Sequence, residues 1–331
     1  MNRRPPGLKL IKALNGYLHY KTAEGLSPRT IDSYERHLKF WIEYQGDIDV
    51  SQVSSKDLRN YMTYMRTEYV PRRITGKNEK RLSGKTLRNI WITLASFFHW
   101  ASDEFDIPNP MKKVPAPKFT DPPIEPLSQD DVEAILKVCT YCRESQTNDR
   151  RKFTMRRPTA RRDRAIILTL LDTGLRATEL CSLTVGDVDL KTGRIDVKHG
   201  VGGGAKGSKG RVVFLGKAAR RSLWRYLAER DDGEELDAPL FIGKHFRPIN
   251  KDSLRQLITS LGKKAGVKKC YPHLFRHTFA ITYLRAGGDV FTLQLLLGHS
   301  SLDMVRRYAR IAEVDVAQAH RKASPADKWR L

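Results

Sequence analysis

Seven prolines fall between residues 108 and 126, at positions 108, 110, 115, 117, 122, 123 and 126. Each removes a backbone donor and fixes φ, so neither a helix interior nor a central strand can run through this stretch. A chain interrupted in this way has to build its cores on either side of an extended connector. With 331 residues in all, at roughly 150 per domain, the expectation is two domains over 1–107 and 127–331, joined by a proline-rich linker at 108–126.

The first domain reads as helical. In "SPRTIDSYERHLKFWIEY", Ser27 can cap, Pro28 can take the first helical position, and Ile31, Tyr34, Leu38, Trp41 and Ile42 share a face. "SSKDLRNYMTYM" and "SGKTLRNIWITLASFFHWA" repeat the device, and "LKLIKALNGYL" adds a fourth amphipathic helix. Beyond the linker, "LSQDDVEAILKVC" opens the second domain with Ser128 and Asp131 as a capping pair.

Sixty Lys and Arg stand against 37 Asp and Glu, a formal charge of +23. The basic residues are spread over many segments rather than along one amphipathic stripe, which favours nucleic acid over an anionic membrane as the partner. The basic run leading into "SGKTLRNIWITLASFFHWA" predicts phosphate contacts by Arg72, Arg73, Lys77, Arg81, Lys85 and Arg88, with Lys209 and Arg211 further on. The segment 143–162, "RESQTNDRRKFTMRRPTARR", reads either as a mobile surface loop or as a further DNA contact. No apolar run approaches the roughly 18 residues a membrane span needs, and no signal-like apolar stretch follows the basic start, so a cytoplasmic, nucleoid-associated protein without a membrane partner is expected. Cys139 and Cys142 form a lone C-x-x-C, with Cys181 and Cys270 apart. Buried reduced thiols on a helix are the better reading than zinc.

The run "GVGGGAKGSKGR", 200–211, satisfies a dinucleotide G-x-G-x-x-G spacing. That motif needs a strand before it and a helix after it. Here "RIDVKHG" precedes and "GRVVFLG" follows, both strand-like, so the loop closes a β-hairpin whose tip carries Lys206 and Lys209. Downstream, "YPHLFRHTFAITYL" puts His273 and Arg276 on one helical face. His273 and His277 have the spacing of a zinc helix, but Leu274 stands where the glutamate of H-E-x-x-H belongs, so no metal is expected. Arg176 follows a helix end, His299 sits in a Gly-His turn, and Tyr308 lies on the next helix.

In this order, "TGLRATEL", "AKGSKGRVV", "HLFRHTFA" and "LGHSSLDMVRRY" resemble the catalytic domain of the tyrosine recombinases, the phage integrase and Xer family. "LSPRTIDSYERHLKFW" and "LSGKTLRNIWITLASFFHWA" resemble that family's helical, SAM-like core-binding domain. The resemblance implies a mainly α fold with a small antiparallel sheet: a helical core-binding domain and a mixed α+β catalytic domain. It assigns Tyr308 as nucleophile, assisted by Arg176, Lys206, His273, Arg276 and His299, with Lys206 favoured over Lys209 as proton donor by register. It implies site-specific recombination or integration of double-stranded DNA through a 3'-phosphotyrosine and a Holliday junction, without metal, ATP or other cofactor. It also implies a homo-tetramer on paired sites, a monomer or dimer when free, accessory DNA-bending or directionality proteins, and a C-terminal helix exchanged between protomers.

The chemistry suits those residue types. Attack by a phenol oxygen conserves the phosphodiester bond energy in the enzyme-DNA link. Two guanidiniums can clamp the non-bridging oxygens bidentately. His273 could take the phenolic proton or orient the phosphate, and His299 could donate a further hydrogen bond. Glu179, three residues after Arg176, reads equally as a side chain that orients a neighbour or as an ordinary surface acid. A type IB topoisomerase or a non-catalytic DNA-binding scaffold are the competing readings.

Overall fold

The computed structural model describes residues 7–71, 81–120, 124–141, 145–147, 150–153, 155, 157–198, 210–243, 247–299, 302–312, 324 and 326. The chain divides into two compact units, Met1–Pro123 and Ile124–Leu331.

The first unit is built from α1 (Leu10–Ala23), α2 (Pro28–Gln45), α3 (Ser55–Thr67) and α4 (Gly84–Phe105). Three of them begin at a serine that answers an orphan backbone N–H: Ser27 accepts from Thr30, Ser54 exchanges bonds with Asp57, and Ser83 accepts from Thr86. Each such cap is worth about 1 kcal/mol. The apolar faces meet in an aromatic core, with Phe97 5.4 Å from Tyr17 and 5.1 Å from Phe98 in edge-to-face geometry, and Trp41 5.4 Å from Phe98. The buried Tyr17 hydroxyl is satisfied by Ser96 Oγ at 2.7 Å.

The proline-rich stretch departs from the expected connector over its first half. Pro110–Lys113 winds into a 3₁₀ turn whose Pro110 and Met111 are buried. Val114 joins the same core, Trp91 Nε1 donates to the Val114 carbonyl at 3.1 Å, and Ser55 Oγ donates to that of Pro110 at 2.6 Å. The apolar side chains between the prolines find a groove along α3 and α4, so this part of the linker closes the first unit.

The second unit runs α5 (Gln129–Thr140), β1 (Ser145–Thr147), β2 (Arg150–Phe153), α6 (Ala160–Thr173), α7 (Ala177–Ser182), β3 (Val188–Asp189), β4 (Arg194–Val197), β5 (Arg211–Phe214), α8 (Lys217–Leu227), α9 (Lys251–Lys264), α10 (Pro272–Arg285), α11 (Val290–Leu297) and α12 (Asp303–Ala312). At its centre lies α6, which packs against α5, α8 and α10 through fully buried Ile166, Ile167 and Leu170. The described part of segment 143–162 is an antiparallel hairpin, β1 against β2, followed by the opening of α6. Strands β3, β4 and β5 form an antiparallel sheet in that order, with Val197 opposite Arg211 at the end of the hairpin nearest the glycine-rich run. The glycine-rich run therefore joins two strands, as its flanks require, although Lys206 and Lys209 lie outside the described residues. Helices α10, α11 and α12 share a smaller core of Ala280, Ile281, Leu284, Leu293, Leu297, Val305 and Tyr308.

Cys139, Cys181 and Cys270 are free thiols, the first and last buried. Burial pushes Cys139 up to about 12 and the other two up to about 11, so none is a ready thiolate. Cys142 lies outside the described residues. Among the described residues no helix is long and apolar enough to cross a membrane.

Gly174 ends α6 in the left-handed region, at φ 62°. A Cβ there would lie 2.5 Å from Phe279 Cδ1 and 3.0 Å from Leu297 Cδ2. Gly174→Ala is expected to destabilise the chain by about 2–4 kcal/mol, from backbone strain plus crowding. A lower urea midpoint at unchanged slope would register it.

Candidate active site

The turn after α6 places Arg176 at the N-cap of α7, and the geometry there is held by Glu179. Glu179 Oε2 accepts from the Arg176 backbone N–H at 2.7 Å, and Oε1 accepts from the Arg176 guanidinium at 2.8 Å. The same carboxylate takes both terminal nitrogens of Arg211, at 2.9 and 2.7 Å. Burial alone would raise the Glu179 pKa, but the hydrogen bonds and charge of Arg211, with those of Arg176, bring it down to about 2. Glu179 is thus the side chain that orients its neighbours, which decides between the two roles open to it.

The basic pattern of the sequence puts Arg211 among the DNA contacts. The structure corrects this: its side chain is only 9% exposed, its fork closes on Glu179, and its Nε donates to the Leu296 carbonyl at 2.7 Å. It sits at the first residue of β5, where a nearby buried carboxylate draws the guanidinium inward. Of the other expected contacts, Arg81 and Lys85 are exposed at the start of α4, and the Arg88 guanidinium lies 5.0 Å from the Trp91 ring centre. Arg72, Arg73, Lys77 and Lys209 lie outside the described residues.

Arg276, on α10, is 1% exposed. Its Nη1 donates to the Gly174 carbonyl at 2.8 Å, and its Nη2 reaches the Leu297 carbonyl at 2.6 Å and His299 Nε2 at 2.8 Å. Burial, and then the charge of Arg176, pushes its pKa down to about 9, which leaves it a cation at neutral pH. A guanidinium only donates, so His299 Nε2 must accept and the ring proton resides on Nδ1. That Nδ1 is buried without a hydrogen-bond partner, as is Arg276 Nε. The centre thus holds two buried donors without a hydrogen-bond partner.

Tyr308, on α12, is fully buried. Its hydroxyl lies 2.8 Å from His277 Nδ1, and its ring stacks on His299 with centroids 6.3 Å apart. Burial raises the phenol pKa, opposed by Arg276, Arg307 and Arg176. His273 is exposed near the start of α10, its ring edge-on to His277 at 4.4 Å. Among the described residues, the group in reach of the phenolic proton is therefore His277, which the sequence suggests only as half of a zinc pair. The available signal was its position four residues after His273 and next to Arg276. Arg176, Arg276, His299 and Tyr308 converge; Lys206 lies outside the described residues.

A cationic clamp, neutral imidazoles and a phenol on one scaffold define an enzyme of phosphoryl transfer through a protein nucleophile. Comparison with known proteins narrows the class. The family model described as phage integrase family matches residues 125–314, and that of the phage integrase N-terminal SAM-like domain matches residues 14–104. Tyrosine recombinase XerC of Thermodesulfovibrio yellowstonii is 30% identical, over 94% of this chain and 95% of its own. Tyrosine recombinase XerD of Listeria monocytogenes is 29% identical, over 94% and 98%. Among solved structures, the Tn1549 transposon integrase in complex with transposon right end DNA shares the fold at a TM-score of 0.69 and 21% identity, covering 96% of this chain and 99% of that one. A lambda integrase dimer bound to a COC' core site gives 0.65 at 18% identity, covering 90% and 97%. The chain belongs to the phage integrase family, and it is a tyrosine-type site-specific recombinase.

Burial, followed by the charges of neighbouring side chains, pushes His277 and His299 down to about 4, from an ordinary 6.5. The unfolded chain takes up both protons as pH falls below 6.5, whereas the native state resists until about 4. Stability present above pH 6.5 is therefore expected to fall steadily towards pH 4. Thermal midpoints across that range would show the slope, and His277→Gln should flatten it.

Proposed function

We propose that this chain exchanges strands between two double-stranded DNA sites by transferring one phosphodiester at a time onto Tyr308. The phenol oxygen attacks phosphorus as its proton passes to His277, the P–O5' bond breaks, and a 3'-phosphotyrosine and a free 5'-hydroxyl result. Lys206, in the sequence between β4 and β5, protonates the departing 5'-oxygen. Attack by the 5'-hydroxyl of the partner strand reverses the step and passes the complex through a Holliday junction. Each bond broken is replaced by one of similar energy, so no nucleotide hydrolysis is needed.

The 2.8 Å contact between His277 Nδ1 and the Tyr308 hydroxyl carries this reading. A nucleophile must have an acceptor within hydrogen-bond reach, and a histidine held neutral supplies one. Arg176 and Arg276 clamp the non-bridging oxygens, and the His299 Nδ1–H adds a third donor to the same group. His273, exposed near the start of α10, touches the phosphate from the solvent side. Because Tyr308 is fully buried, DNA has to open a path to its hydroxyl while α12 stays packed on α10, which keeps the His277 contact. That requirement fits assembly as a homo-tetramer on paired sites, in which neighbouring protomers exchange their C-terminal segments, with DNA-bending proteins assisting.

Covalent trapping on nicked suicide duplexes drawn from DNA flanking the protein's own gene tests the proposal. The wild type is expected to form a denaturation-resistant adduct on a 3'-phosphate at one recurring sequence, and Tyr308→Phe to bind the same duplex without forming it. His277→Phe should cut the cleavage rate by about 10²-fold or more and abolish its dependence on an acceptor in the pH profile. Adducts scattered over all sequences would point to relaxation of supercoils instead, and binding without any adduct would remove Tyr308 from its role.

A further inference from the structure

Four arginines from two packed helices converge on a cavity of about 390 Å³ that takes no part in the catalytic centre. Arg161 and Arg164 come from the start of α6, Arg221 and Arg225 from α8, and Ser222, Thr140, Ala160 and Ala218 complete the lining. Arg161 is neutralised by Glu229 at 2.6 Å. The guanidiniums of Arg164, Arg221 and Arg225 have no ion pair or hydrogen bond among the described residues. Ser222, 8% exposed, lies between them in the lining. Like charges gathered around a concavity repel one another, and an anion seated between them would relieve that cost.

The surroundings say what kind of anion. Helix α8 carries Lys217, Arg220, Arg221 and Arg225 and no acid. The sequence leading into α6, "RRKFTMRRPTARRDR" at 150–164, holds eight basic residues and a single acid. A free phosphate or nucleotide would be satisfied by the cavity alone, whereas an extended basic strip is matched by an extended polyanion. Helix α6 has 14 residues, so at 1.5 Å per residue the groove lies about 20 Å from Arg176 along its axis. At 3.4 Å of duplex per step, that is about six base pairs, so a phosphate in this groove is not the one being transferred.

We propose that the α6–α8 groove is a second phosphate site, which grips the backbone of duplex DNA beyond the segment being cleaved. This deepens the reading of the chain as a DNA strand transferase and rests on it. Its outcome would be to hold flanking DNA, or the far arm of a bent site, against the catalytic unit during exchange.

The test uses the full chain and the triple variant Arg164→Gln, Arg221→Gln, Arg225→Gln on nested duplexes of increasing length centred on the cleaved bond. On the longest duplex the slope of log Kd against log salt is expected to fall by about 2–3, near 0.9 per lost phosphate contact. On the shortest, binding and suicide cleavage should match the wild type. An unchanged slope at every length, with cleavage retained, overturns the groove and leaves the strand-transfer reading intact. A slope lost equally on the shortest duplex also overturns it, because the contact would then belong to the cleavage site. Competition by inorganic tripolyphosphate without any change in DNA slope reassigns the groove to a free anion and overturns it too. Failure of the wild type to bind any duplex ends both readings. If the triple variant melts early, Arg221→Glu alone, expected to lower the long-duplex slope by about 1 or more, decides by the same criteria.

Discussion

The carboxylate of Glu179 is the fixed point of the catalytic unit. It joins the start of α7, through Arg176, to the start of β5, through Arg211. Arg211 and Arg176 then reach the carbonyls of Leu296 and Gly298, at the end of α11. Three segments far apart in sequence are thereby registered on one side chain. A buried ion pair adds little net stability, because desolvation cancels much of its attraction. Its consequence here is positional: the Arg176 clamp, the strand that leads out of the Lys206 hairpin and the turn that carries His299 cannot shift independently.

The second constraint is that imidazoles surrounded by guanidiniums remain neutral. Burial and the nearby arginines hold His277 and His299 far below the ordinary histidine range. A neutral His299 can accept from Arg276 on one nitrogen and donate from the other, which a charged ring could not do. A neutral His277 can accept from Tyr308. The cations therefore do two things at once: they prepare an electropositive site, and they keep the adjacent bases free of protons at neutral pH.

Much of this architecture is legible in the amino-acid sequence. Helix starts are, because Ser27, Ser54, Ser83 and Ser128 announce themselves by local hydrogen bonding. The hairpin around the glycine run is, because its flanks have strand patterning, and the arginines, His299 and Tyr308 are, because their order is specific. What sequence does not reveal depends on contacts distant along the chain. Met111 and Val114 turn half the linker into core only because α3 and α4 offer them a groove. Arg211 reads as a surface charge, and nothing local to β5 foretells a buried acid 32 positions earlier. The His277–Tyr308 bond spans 31 positions and exists because α12 packs on α10.

The charge balance of the centre explains what it is shaped to hold. Among the described residues, Arg176, Arg211 and Arg276 face a single carboxylate, Glu179. Three positive charges against one negative leave two unanswered. A phosphodiester in its ground state carries one negative charge, and addition of a phenolate oxygen raises that to about two over the same oxygens. The site is thus better matched to the transition state than to bound DNA, which is the condition for accelerating the chemical step rather than merely binding substrate. The same imbalance explains why one carboxylate must be shared. A second acid beside Arg276 would complete its Nε and calm the repulsion, but it would also cancel the surplus on which the reaction depends.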